Sequence, residues 1–89
     1  MDRIRESEKT LKALANRRRL AIILYIQKHR EASVGEIAGA IKLSLRSTSR
    51  HLSVLAASSI LEREQRGLSM YYRVAQNQHP ILGVVLRLL

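Results

Sequence analysis

Two closely spaced helix starts followed by a hairpin signal leave few folds open to this chain. Ser33 and Glu36 stand three apart, the spacing of a capping box, in which each side chain satisfies a backbone donor of the other's residue. A helix therefore begins at Ser33, shows Ile37, Ala40 and Ile41 as its apolar face, and stops near Lys42 and Leu43. Ser44 caps the next helix almost at once, over Leu45 to Ser59, so only a tight turn separates the two. In that second helix Thr48, Leu52 and Leu55 recur at i, i+4 and i+7 and point inward, leaving Arg46, Ser47, Ser49, Arg50 and Ser53 mostly outside. Ile60 to Arg66 and Met70 to Val74 then alternate as two strands, linked by Gly67-Leu68-Ser69, where Gly67 can take positive φ. So small a sheet cannot stand alone and must pack on the helices.

The flanking segments supply those helices. Residues 3 to 15 have helical pattern, with Ile4, Leu11, Leu14 and Ala15 able to share a face. Asn16 is a good N-cap for a helix running to about His29, whose run from Leu20 to Ile26 is so widely apolar that burial on nearly all sides is expected. Gln76 to His79 is a polar break, and Pro80 suits the first position of a last helix. The expected fold is mainly α with a small β-hairpin: five helices in a single domain over 1–89. A chain of 89 residues buries a modest core. It has no cysteine, so disulfides and thiolate metal sites are excluded and oligomerisation is the remaining route to added stability.

Sixteen Lys and Arg against seven Asp and Glu give a formal charge of +9, which favours a polyanionic partner. The bases are spread through the chain, and no Asp or Glu occurs between Glu36 and Glu62. A helix with guanidinium groups and hydroxyls on one side and leucines on the other can lie in a DNA major groove and keep its apolar side in a core. Arg46 and Arg50, four apart, can each fork onto a guanine edge or clamp a phosphate. Arg46 is nearer the helix N-terminus, the end that docking inserts, and is the first choice for base reading. Ser47, Ser49 and Ser53 can bond bases or phosphates, and Ser44 stands with the residues expected at DNA. His51 reads as a packed or phosphate-facing histidine, since no acid or cysteine on its helix could make a site of it. Arg63 and Arg66 lie on the hairpin within reach of the backbone, with Arg66 the candidate contact, although Glu62 and Glu64 weaken the field there. Arg17, Arg18 and Arg19 crowd the positive end of a helix, so one or more is expected to find a carboxylate or phosphate.

Other classes lack their signals. Three Tyr and no Trp or Phe give no stacking platform for single strands. No nucleophile–base pair, phosphate loop or metal cluster is visible, so no enzyme, cofactor or metal is expected. The charged N-terminus is not a secretory signal and the longest apolar runs, Leu20 to Ile26 and Ile81 to Leu86, are too short to span a bilayer. A cytoplasmic protein without a membrane partner is the expectation. The last helix places Ile81, Leu82, Val84, Val85, Leu86, Leu88 and Leu89 all round its axis. One subunit covers one side, and a symmetric dimer is the economical cover for the other.

The local text is more specific than its pattern. "LKALANRRRLAIIL", "EIAGAIKLSLRSTSRHLSVL" and "YYRV" resemble the ArsR-type family of dimeric winged helix-turn-helix transcriptional repressors, from about Leu11 to Val74. The element S-x-x-S-x-S-R-H-L-x-x-L, Ser44 to Leu55, is the most specific part. The resemblance implies a helix-turn-helix over 33–59, a wing over 60–75 with Gly67 at its tip, and dimerisation helices over 3–15 and 80–89. It places Arg46, Ser47, Ser49 and Arg50 at DNA, and Leu11, Leu14 and Pro80 to Leu89 between subunits. With the apolar pattern, the dimer residues expected are Ile4, Leu11, Leu14, Ile81, Leu82, Val85, Leu88 and Leu89. Lys42 stands where the family often has glycine between its helices, Ser58 and Ser59 where it has glycine after the reading helix, and Arg17 where proline is common. The positions of the family's sensing cysteines are Ser33 and Gly35, and His79 has no acid near it, so the family's metal sites are missing.

The reading is thus a homodimer that binds double-stranded DNA sequence-specifically and represses transcription from a palindromic operator; an effector is left open. Its rival is a winged-helix interaction module that binds a heterologous protein through the apolar last helix.

Overall fold

The computed structural model describes residues 2–89. Helix α1 (Asp2–Leu14) gives way to α2 (Arg17–His29) at Asn16, whose side-chain oxygen accepts the N–H groups of Arg18 and Arg19 at 3.0 and 3.1 Å. Two of the four donors left open at a helix start are thereby satisfied, as the sequence predicts. Strand β1 (Glu31–Ser33) follows, then α3 (Val34–Ile41) and α4 (Leu45–Ala57), strands β2 (Leu61–Arg66) and β3 (Ser69–Val74), and α5 (Pro80–Leu88). No described helix is long and apolar enough to cross a membrane.

The capping box is present in full. Glu36 N–H donates to Ser33 Oγ at 3.2 Å and Ser33 N–H to Glu36 Oε1 at 2.8 Å, which starts α3 and lets the chain turn out of β1. At the far end Lys42 takes the left-handed conformation (φ 56, ψ 51), and the N–H of Leu43 reaches the Ala38 carbonyl at 3.0 Å. Ser44 accepts from Ser47 N–H at 3.1 Å and opens α4. Helix α4 closes the same way. Ser59 adopts φ 60, and Ile60 N–H bonds the Leu55 carbonyl at 3.0 Å, a six-to-one closure of the Schellman type. Lys42 and Ser59, at the two turns where the resemblance leads one to expect glycine, take the left-handed conformation with a Cβ in place.

The sheet has three strands, not the two of a bare hairpin. Its order is β1-β3-β2, antiparallel throughout, with Glu31 opposite Arg73, Ala32 opposite Tyr72 and Arg63 opposite Tyr72 on the other side. Ser69 pairs with Arg66, so the wing tip is a two-residue Gly67-Leu68 turn with Gly67 at φ 59, rather than the three-residue link expected. β3 binds β1 along its second edge and ties the wing to the start of α3.

Ile22, Ile23 and Ile26 of α2, Ile37 of α3, Leu52 and Leu55 of α4, and Leu82 of α5 are fully buried and meet in one core. α2 is its centre, but not on nearly all sides: Ala21 and Leu24 are exposed. In α3 the buried alanine is Ala38, and Ala40 is exposed, which turns the apolar face toward α2 and α4. Pro80 occupies the first turn of α5, and His79 caps it, its Nδ1 accepting Ile81 N–H at 3.1 Å. That bond leaves the proton of a neutral ring on Nε2, which lies 3.3 Å from Ser7 Oγ and links α5 to α1.

Candidate nucleic-acid interface

Beyond its first residue α4 divides by face. Thr48, Leu52 and Leu55 are buried, while Arg46, Ser49, Arg50 and Ser53 are exposed and Ser47 is half-buried. Among the described residues neither Arg46 nor Arg50 pairs with a carboxylate, and the acid-free stretch around them leaves both guanidinium groups available for an anion. Ser44 is exposed, but its hydroxyl already serves as the helix cap.

His51 is set differently from these. It is half-buried, with Nδ1 3.5 Å from Nη1 of Arg19, at the long limit of a hydrogen bond. Burial first, then the charges of Arg19 and Arg18, hold its pKa below the usual histidine value, so the ring is neutral near pH 7. Only Nε2 remains free for another partner. Arg19 itself donates Nε to the Ala13 carbonyl at 2.5 Å and Nη2 to the Lys12 carbonyl at 3.3 Å. The cation expected to seek a carboxylate or phosphate instead caps the negative end of α1 and braces it against α4.

The wing carries a lattice of ion pairs. Arg66 donates to both oxygens of Glu31 at 2.6 and 2.9 Å and to Glu64 at 2.9 Å, and lies 4.7 Å over the Tyr71 ring. Arg73 reaches Glu62 at 3.4 Å and Glu64 at 3.2 Å. The hydrogen bonds from Arg66 keep the Glu31 and Glu64 carboxyls below the usual range, and the same bonds raise Arg66. Arg66, expected at DNA, is thus already held by two carboxylates. Arg63 is not. It is exposed, shares the sheet face of Tyr72, and borders a groove with Ser53, Ala56 and Ala57 of α4. The signal for it was in the alternation of β2: Arg63 is in phase with buried Leu61, hence on the α4 side, whereas Arg66 is in phase with Glu62 and Glu64.

The helices expected to pair subunits expose several apolar side chains. Ile4 (67 % exposed) and Leu11 on α1, and Val84, Leu88 (80 %) and Leu89 at α5, are open to solvent, with Ile81 and Val85 half-buried beside them. Leu14 and Leu82 are taken up by the chain's own core and contribute nothing to that surface.

Three helices packed on a central α2, a tight left-handed turn into an exposed cationic helix, and a hairpin beside it define a winged helix-turn-helix. The family described as winged helix-turn-helix DNA-binding matches residues 16–62, just over half of the chain, and the chain belongs to it. Its relatives are transcriptional regulators. The transcriptional repressor PagR of Bacillus anthracis is 28% identical over 82 residues, covering 92% of this chain and 80% of PagR, and its crystal structure superposes with a TM-score of 0.80. HlyU from Vibrio cholerae, a transcriptional activator, is 27% identical in its structure with a TM-score of 0.81, covering 93% of this chain and 90% of that one. The homodimeric winged helix-turn-helix domain of Mb0332 from Mycobacterium bovis, a possible ArsR-family regulator, is 30% identical with a TM-score of 0.81, covering 96% of this chain and 78% of that chain. The chain is a DNA-binding transcriptional regulator of this type.

Proposed function

We propose that the chain acts as a homodimer on a palindromic operator and represses by occupying it. The observation that carries the reading is the outer face of α4, where Arg46, Ser49 and Arg50 stand exposed and unpaired by any described carboxylate, above a side packed into the core. Arg46 and Ser47 read bases near the helix N-terminus, Arg50 and Ser49 serve bases or phosphates, and Arg63 takes the backbone contact that Arg66 is too well satisfied to make. His51 holds Arg19 and the angle of α4 rather than reading sequence. Exposed Ile4, Leu11, Leu88 and Leu89 supply the dimer surface, and the similar Mb0332 domain is homodimeric. Two copies then set their α4 helices about 34 Å apart, one turn of DNA. PagR and HlyU regulate in opposite directions, so repression here rests on mechanism: a small bound domain blocks whatever else needs the same duplex.

The test is selection of duplexes from a random pool at stated salt, followed by Arg46→Ala on the selected site. A base contact costs about 1–3 kcal/mol and relaxes preference at one position per half-site. Equal weakening on every sequence makes Arg46 a phosphate contact, and no enriched duplex at all refutes the proposal.

A further inference from the structure

Leu45 is an apolar side chain among the polar and basic residues that open α4. It is the first residue of α4, directly after the Ser44 cap, and is 60 % exposed. By helical period it belongs with the buried stripe, three before Thr48 and seven before Leu52. It is nonetheless open because the first turn of α4 runs past the core. Leu45 borders a groove of about 460 Å³ between the starts of α3 and α4 and the wing tip, with Val34, Ser49, Leu68 and Met70 on its walls. The residues flanking it, Ser44 and Arg46, are exposed and polar, and the apolar surface of α1 and α5 is made of other residues.

We propose that Leu45 reads sequence by packing on the C5-methyl group of a thymine, beside the base pair that Arg46 approaches. The major groove shows one apolar feature, that methyl, and an apolar side chain is its complement. The N-terminal residues of a reading helix come closest to base edges, and Leu45 is the first of them. A leucine has nothing to offer a phosphate, so its gain at this place comes from a base edge alone. The Ser44 cap, with its 3.1 Å bond to Ser47 N–H, fixes the turn that carries Leu45 and makes the contact selective rather than loose. The inference rests on the DNA-reading face proposed above.

Uracil is thymine without the methyl, so a uracil scan of the selected duplex isolates this one group. Each thymine is replaced in turn, symmetrically in both half-sites, and binding of the full chain and of Leu45→Ala is measured. One methyl buried is expected to be felt as about fourfold per half-site, hence roughly fifteenfold for the pair. The wild type should show that loss at one thymine position, and Leu45→Ala, weaker from the start, should no longer distinguish thymine from uracil there. Leu45→Gln, which keeps a long side chain on the same helix, should also lose the distinction, and circular dichroism of both variants should match the wild type. A wild type that binds its selected duplex with no uracil-sensitive thymine overturns the inference and leaves the DNA-reading face intact, and so does a Leu45→Ala variant that keeps the full sensitivity. Failure to select any duplex overturns both.

Discussion

Thr48 sits at the middle of the buried side of α4 with 0 % exposure, and its hydroxyl has no hydrogen-bond partner among the described residues. The Ser44 carbonyl one turn back accepts the Thr48 N–H at 2.9 Å, so the backbone is satisfied and only the side chain is not. An unpaired buried hydroxyl costs about 1–3 kcal/mol relative to an apolar group of the same shape. Thr48→Val removes that group, keeps the branched Cβ and its restricted rotamer, and changes helix propensity little. The expected gain is about 1–2 kcal/mol. In a domain of this size each kcal/mol moves the melting midpoint by roughly 4–8 °C, so the variant should melt roughly 5–15 °C higher. The midpoint is to be followed by circular dichroism at one fixed protein concentration, because self-association also shifts it. Affinity for DNA should be unchanged, since Thr48 points away from the face that bears Arg46 and Ser49. A lower midpoint would refute the reasoning: it would mean that the hydroxyl is bonded and that α4 is pinned to the core by a polar contact.

Three other outcomes follow from the geometry. Ser59→Gly relieves the left-handed strain at the end of α4, worth about 1–2 kcal/mol, and loses part of it to the freedom of glycine in the unfolded chain; a net rise of about 0.5–1 kcal/mol in urea unfolding is expected, and a loss would show that Ser59 is not strained. Stability should fall in two stages on acidification. His51 is depressed below its usual 6.5, so the unfolded chain takes up that proton first and stability present above 6.5 is lost as pH falls through the folded value. Glu31 and Glu64 lie below 4.5, so their contribution persists above 4.5 and disappears only on further acidification; His51→Gln should abolish the first stage alone, and urea midpoints followed over pH decide it. Leu88→Glu places a charge on the exposed end of α5 and should yield a folded monomer by light scattering with operator binding lost; an unchanged dimer would move the interface elsewhere.

What could be read from the sequence was what the sequence decides locally. Asn16, the Ser33–Glu36 box and Ser44 act within four residues of themselves, and all three caps were found where the text puts them. The buried stripe of α4 follows from period alone. The rest depends on partners far along the chain. β1 has three residues, no β-branched side chain among them, and exists because β3 offers an edge some forty residues later. Arg66 looks like a cation beside a turn until Glu31 is brought against it. Leu14 and Leu82 share a helix pattern with residues that stay exposed, and only the packing of α1 and α5 tells them apart. Arg19 found a helix end, a partner that leaves no trace in composition.

The Glu31–Arg66–Glu64–Arg73–Glu62 chain has a consequence for how binding answers to ionic strength. Counterions leave DNA in proportion to the cationic groups that newly neutralise phosphates. Two of the wing's guanidinium groups, those of Arg66 and Arg73, already hold carboxylates, so they displace few. The logarithmic salt dependence of binding should therefore be shallower than a count of sixteen bases suggests, and set mainly by those on α4 and by Arg63.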